Sequence, residues 1–265
     1  MLYALLLSGA ALSALVPLQG QASDTPSESP PGMVLIPAGK FRSPFRDDNA
    51  TNETPVAAFY LDVYPVTNDE FLEFVRVHPR WRRSQVPCHV AEDSYLKHWA
   101  GDLELGPLAP SNAPVTQVSW LAARAFARWK GKRLPTTAEW ELAAAASAGQ
   151  PDGSLDPAFQ RQILDWYAAP TPAVLAVVGT HTANVYGVHD LHALVWEWTA
   201  DFGSYRLGET RGSGSLSGDA FCGGAAARAT NLTDFATFMR FGFRSSLRAE
   251  YTIHNLGFRC ARSRE

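Results

Sequence analysis

The sequence predicts an α+β protein, a compact single domain with little regular secondary structure. Three observations lead there. Apolar residues make up 46% of the 265 positions, enough for a sizeable core. The 20 glycines, 18 prolines and 8 tryptophans speak for many ordered turns rather than a helical bundle. The periodic stretches are short, some with strand character and others at helical spacing. No internal repeat is present, so the body of the chain, 33–262, reads as one domain. A net charge of −3 argues against a nucleic-acid binder held by electrostatics.

In chain order, Leu2 to Leu18 is apolar or small and carries no charged side chain, and Gly20-Gln21-Ala22 offers small residues for cleavage. Residues 1–22 therefore read as a signal peptide and place the protein in the periplasm or outside the cell. The segment lacks a basic start, and an uncleaved anchor is the alternative. Residues 23–32 are polar and proline-rich, a linker. No second hydrophobic span follows, so no transmembrane domain is expected after cleavage. Met33 to Phe41 reads as strand, turn and strand start, and Phe59 to Tyr64 as another strand. Thr67 or Asn68 caps a helix with Phe71, Phe74 and Val75 on one face. The basic cluster Arg76 to Arg83 reads as a solvated loop with Trp81 tucked against the body; binding of an acidic partner is the other reading. Ser119 caps a helix carrying Ala122, Ala125, Phe126 and Trp129, which ends at Lys130-Gly131-Lys132. Thr137 caps the next, Ala138 to Ala146. Gln160 to Tyr167 reads as a short helix and Leu175 to Val178 as a strand. Residues 203–218 read as a Gly/Ser-rich loop. Met239 to Leu247 and Leu256 to Cys260 read as paired strands closing the domain.

The chemistry concentrates in Tyr186 to Asp201 (YGVHDLHALVWEWTAD). Asp190 and Glu197 sit among large apolar residues, where an unpaired charge costs several kcal/mol. Two carboxylates plus backbone carbonyls in one compact loop suit Ca²⁺. The plainer alternative has Asp190 exposed and capping a turn, with Glu197 paired to an arginine. His181, His189 and His192 are neighbours in sequence, but their spacing fits no common three-histidine metal site. Three cysteines, Cys88, Cys222 and Cys260, permit one disulfide in any of three pairings, and none has CxxC spacing.

Several segments together resemble the formylglycine-generating enzyme (sulfatase-modifying factor) superfamily. They are Gly32 to Gly39 (GMVLIPAG), Tyr64 to Asn68 (YPVTN), Pro114 to Trp120 (PVTQVSW), Trp129 to Glu141 (WKGKRLPTTAEWE), the Tyr186 to Thr199 stretch, and Asn255 to Cys260 (NLGFRC). The resemblance implies the formylglycine-generating-enzyme fold, related to C-type lectin-like domains. It implies one structural calcium, with side-chain ligands Asp190 and Glu197 and the carbonyls of Ala193 and Val195. A second calcium site is not expected, because 180–186 is short and offers no matching acids. The family's generating enzymes hold copper(I) between two cysteines, a soft ligand pair that suits that ion. Counting back from Asn255 places those positions at Ala236 and Asn231. Counting from Gly223-Gly224 places them within Ala227 to Asp234, again without a cysteine, and Cys222 falls out of position. Copper is therefore not expected. Ala127 and Ala144 stand where the family's structural disulfide partners would be. The related sulfoxide synthases hold iron in an added helical domain that this chain lacks.

Within the superfamily the chain is most similar to the secreted nitrite-reductase-associated, NirV-type branch. His78 to Gln85, Phe221-Cys222-Gly223 and Phe238 to Leu247 carry that similarity. It implies an accessory role, with copper nitrite reductase or another periplasmic protein as partner. Trp196 and Asn255 match positions lining the family's cleft. The expectation is an accessory or binding module that catalyses nothing alone. The alternative is an oxidoreductase acting on a protein or small-molecule thiol, with Cys222 reaching the cleft, alone or with Cys88 or Cys260. A lectin-like display domain is a third reading, supported by fold alone.

Overall fold

The computed structural model describes residues 29–43, 53–203 and 232–264. The expected signal peptide, most of the linker, most of the Gly/Ser-rich loop and Cys222 lie outside the described residues. Strands β1 (Met33–Ile36), β4 (Phe59–Asp62) and β7 (Ala261–Ser263) form an antiparallel sheet with β4 central. β2 (Gly39–Arg42) and β3 (Glu53–Val56) form a second antiparallel pair. The inner position of β4 explains its sequence: all four residues, Phe59, Tyr60, Leu61 and Asp62, are buried.

Among the described residues, five α-helices surround these sheets: α1 (Asn68–Val77), α2 (Trp120–Trp129), α3 (Thr137–Ala144), α4 (Pro157–Ala168) and α5 (Leu232–Ser246). Their starts follow side-chain capping. Thr67 and Glu70 complete a capping box on α1, and Ser119 caps α2. α3 starts one residue earlier than its sequence suggests. Thr136, not Thr137, is the cap and pairs with Glu139 in a second capping box. The Thr137 hydroxyl instead meets Thr199 at 2.9 Å and Asp201 at 2.9 Å, tying α3 to the chain after the tryptophans. Gly131 ends α2 in the left-handed region at φ 67°, as the Lys-Gly-Lys signal indicates.

The largest departure is α5. Met239 to Ser246 is the C-terminal part of a helix, not a strand, and Leu247 follows its end. Its buried residues, Ala236, Thr237, Arg240, Phe241 and Arg244, recur at helical spacing. The alternating phenylalanines suggested a strand, but the stripe that packs includes two arginines, which a hydrophobic pattern leaves out. Leu256 therefore finds another partner. β6 (Leu256–Gly257) pairs in parallel with β5 (Trp196–Glu197), joining the two motif stretches directly. Leu175 to Val178 forms no strand; Val174 and Val177 are exposed, and the Val178 amide donates to the Asn112 carbonyl at 2.9 Å.

Two apolar clusters make up the core. One gathers α1 and α2 around Phe71, Phe74, Phe126, Trp198 and Phe258. The other joins β1 and β4 to α3 and α5 through Ile36, Leu61, Ala143 and Phe241. Trp81 of the basic loop is buried against the first, while Arg76 and Arg80 remain exposed. No helix among the described residues is long and apolar enough to cross a membrane.

Candidate functional site

The site is built where β5 leaves its preceding loop. That loop turns tightly: Asp190 and Leu194 both take positive φ, 61° and 63°, and the Val195 amide donates to the Ala193 carbonyl at 2.8 Å. Leucine rarely adopts this conformation, so the surroundings must hold it.

The two acids enter separate networks. Glu197 is wholly buried against the wholly buried Arg259. Arg259 Nε donates to both carboxylate oxygens, at 3.0 and 2.9 Å, and Nη2 donates to Oε1 at 2.8 Å. Trp140 Nε1 donates to Oε2 at 2.7 Å. These three N–H donors make four contacts, two on each carboxylate oxygen. The rest of Arg259 is taken by the carbonyls of Asp62, Val63 and His189. Asp190 accepts from the Gly179 and His181 amides and lies 2.9 Å from His181 Nδ1. It is buried rather than exposed.

As placed, these residues do not fit a calcium ion shared between Asp190 and Glu197. Glu197 is held on both oxygens by Arg259, which supplies the positive charge, and by Trp140, and the Ala193 carbonyl accepts a bond within its turn. The family-derived ligand set thus differs from the arrangement found, which matches the arginine pairing left open as the plainer reading of Glu197. Among the described residues no three of His, Cys, Asp or Glu gather where a metal ion could be held.

Beside this pair opens a cleft of about 550 Å³, its open mouth included. Its lining includes Trp140, Trp166, Tyr167, His192, Trp196, Arg244 and Asn255. The Trp196 ring lies between Tyr167, 4.8 Å away, and Phe243, 4.6 Å away. Asn255 accepts the Trp196 amide through its carbonyl at 2.8 Å, and its side chain donates to Thr171 at 3.2 Å. The parallel β5–β6 pair thus brings Trp196 and Asn255 to one wall.

The floor is a second buried charge network that sequence reasoning missed. Glu141 on α3 accepts from Arg240 and Arg244 on α5, at distances from 2.6 to 3.0 Å. Burial alone would raise the Glu141 pKa, but the two guanidinium groups hold it below the usual carboxylate value. Arg240 also donates to Tyr167 Oη at 3.2 Å and to Thr237 Oγ1 at 2.9 Å. His192 Nε2 donates to the Ala144 carbonyl at 2.7 Å, leaving Nδ1 to accept the Tyr167 hydroxyl at 3.1 Å. Burial first, then the nearby Arg240 charge, pushes the His192 pKa down to about 3, so the ring is neutral near pH 7. A signal for this network did exist: Arg240 and Arg244, four apart in an apolar stretch, require a buried acid if that stretch is helical.

The thiols lie elsewhere. Cys88 is exposed, Cys260 is buried, and neither is in a disulfide. Burial, reinforced by Asp62, raises the Cys260 thiol pKa well above its ordinary value, which makes that sulfur inert. Neither lines the cleft.

A compact α+β domain closed by the Trp-Glu-Trp and Asn-Leu-Gly-Phe-Arg segments is the architecture of a sulfatase-modifying-factor domain. Residues 18–264 match the family described as Sulfatase-modifying factor enzyme 1-like domain, and the chain belongs to it. Among its relatives, the formylglycine-generating enzyme of Thermomonospora curvata is 32% identical over 230 residues, 68% of this chain and 74% of that one. The inactive C-alpha-formylglycine-generating enzyme 2 of Bos taurus is 31% identical over 279 residues, covering 86% of this chain and 87% of that one. The serine/threonine-protein kinase pkn1 of Chlamydia caviae is 30% identical over 178 residues, 65% of this chain. The match spans only 28% of that kinase's length.

Proposed function

We propose that this protein is a non-generating member of the formylglycine-generating-enzyme family, a binding or accessory module that uses the cleft beside Trp196. The observation that carries this reading is the composition of the cleft. Among the described residues it presents aromatic rings, an amide and an arginine, and no thiol. Ala236, one of the positions where the sequence count expects a copper-binding cysteine, is a fully buried residue of α5. A bovine relative covering most of the chain is itself named an inactive enzyme. The setting suggested by the NirV-type similarity is the periplasm, with copper nitrite reductase or another periplasmic protein as partner. Calcium at the Asp190–Glu197 loop, which the family resemblance implies, would enter only by displacing Arg259 from Glu197.

The test is intact-mass analysis of a peptide carrying Cys-x-Pro-x-Arg, incubated with the copper(I)-loaded protein under oxygen. An unchanged peptide is the expected result. Loss of mass at the peptide cysteine would overturn the reading and make Cys222 the residue to substitute.

A further inference from the structure

Three buried guanidinium groups, Arg240, Arg244 and Arg259, stand around the cleft with three buried carboxylates, Glu141, Asp190 and Glu197, and what differs among them is how fully their hydrogen bonds are used. Glu197 is neutralised by Arg259, but Glu141 is shared by two arginines. Arg240 uses Nε, Nη1 and Nη2 on Glu141, Tyr167 and Thr237. Arg244 gives only Nη1 to Glu141, so among the described residues its Nε and Nη2 donors have no hydrogen-bond partner. Its guanidinium carbon lies 4.5 Å over the Trp140 ring and its side chain is 6% exposed, so it is held in place at the cleft floor. His192, the other titratable lining group besides Tyr167 and Glu197, is neutral near pH 7.

We propose that this cleft binds an organic carboxylate with a planar apolar body, the carboxylate on the remaining donors of Arg244 and the apolar body among the aromatic side chains of the lining. The proposal rests on the binding-module reading above and specifies its ligand. The two donors of Arg244 that Glu141 leaves free form a planar fork that a carboxylate accepts in two-point contact. The aromatic side chains of the lining favour a flat apolar group beside that contact. The enclosed part of the space takes the end of a small ligand rather than the surface of a folded partner.

The probes are phenylacetate and its neutral counterpart phenylacetamide, titrated into the full chain at matched ionic strength. Calorimetry and tryptophan fluorescence read the binding. Phenylacetate is expected to bind about tenfold or more tighter than the amide, and more weakly as salt rises. Arg244→Gln should remove that preference, Arg244→Lys should keep part of it, and the near-UV circular dichroism should be retained because Glu141 still pairs with Arg240. Equal affinity for acid and amide in the unsubstituted protein overturns the anion assignment without requiring any variant to fold, and leaves the cleft a binding site. Tighter binding of inorganic phosphate than of phenylacetate overturns the carboxylate assignment. No binding of either aromatic probe overturns the proposal. If the peptide cysteine is also oxidised in the mass assay, the binding-module reading falls with it.

Discussion

A wholly buried guanidinium is tolerated only where a carboxylate and carbonyl acceptors replace its water, and Arg259 meets that condition on every nitrogen. Glu197→Gln keeps the shape and removes the charge. It should cost about 3–5 kcal/mol in urea unfolding, because Arg259 is left buried without its counter-charge. His192 gives a pH signature. Its folded pKa is lowered to about 3 from 6.5, so between those values the unfolded chain binds the proton and the folded one does not. Stability from this residue is therefore complete above about pH 6.5 and declines as pH falls toward 3. Between pH 6.5 and 5 the decline is at most about 2 kcal/mol, at roughly 1.4 kcal/mol per unit. His192→Gln should flatten the stability–pH curve in that range. An unchanged slope would mean the ring is protonated or solvated in the folded protein. Glu141, with its lowered pKa, loses stability in the same direction but only in more acid solution, below the ordinary value of 4.5, so the two groups separate along the pH axis.

The β5–β6 pair is the element on which the cleft depends. It is only two residues long on each side, yet it fixes Trp196 opposite Leu256 and Glu197 opposite Gly257. A side chain at Gly257 would bring its Cβ within 2.6 Å of the Val115 carbonyl oxygen, closer than van der Waals contact allows. Gly257→Ala should therefore force the pair apart at a cost of about 1–3 kcal/mol. Tryptophan fluorescence should also shift as Trp196 moves from between Tyr167 and Phe243. Destabilisation with an unmoved emission maximum would show that the pair does not position that ring. α5 contributes the opposite wall, and its helical form is what brings Arg240 and Arg244 together on Glu141. As a strand ending in the same apolar cluster, the segment would still need two buried cations neutralised, with no acid across the sheet to do so.

At the scale of the whole molecule, the competing accounts of the Asp190–Glu197 loop separate cleanly. If Arg259 is its resident counter-cation, chelator and millimolar calcium should leave the unfolding midpoint unchanged, since a ligand stabilises only in proportion to its binding of the folded state. A midpoint that rises with calcium concentration would show that the ion displaces the arginine and would restore the ligand set that the family resemblance implies. What the sequence alone determined is local or motif-borne. The family, the mixed fold class, the capped helices α1 and α2 and the burial of Trp81 are all readable from neighbouring residues, because capping, turn residues and apolar spacing act over a few positions. Asp190 and Glu197 were also visible as acids in an apolar run, but their partners were not. Arg259 and Trp140, 62 and 57 positions from Glu197, come from separate parts of the chain, and only tertiary folding decides whether a buried carboxylate meets a guanidinium or a cation. The same holds for α5 and its two arginines. Their pattern becomes a helix face only when Glu141, 99 positions from Arg240, is there to receive it.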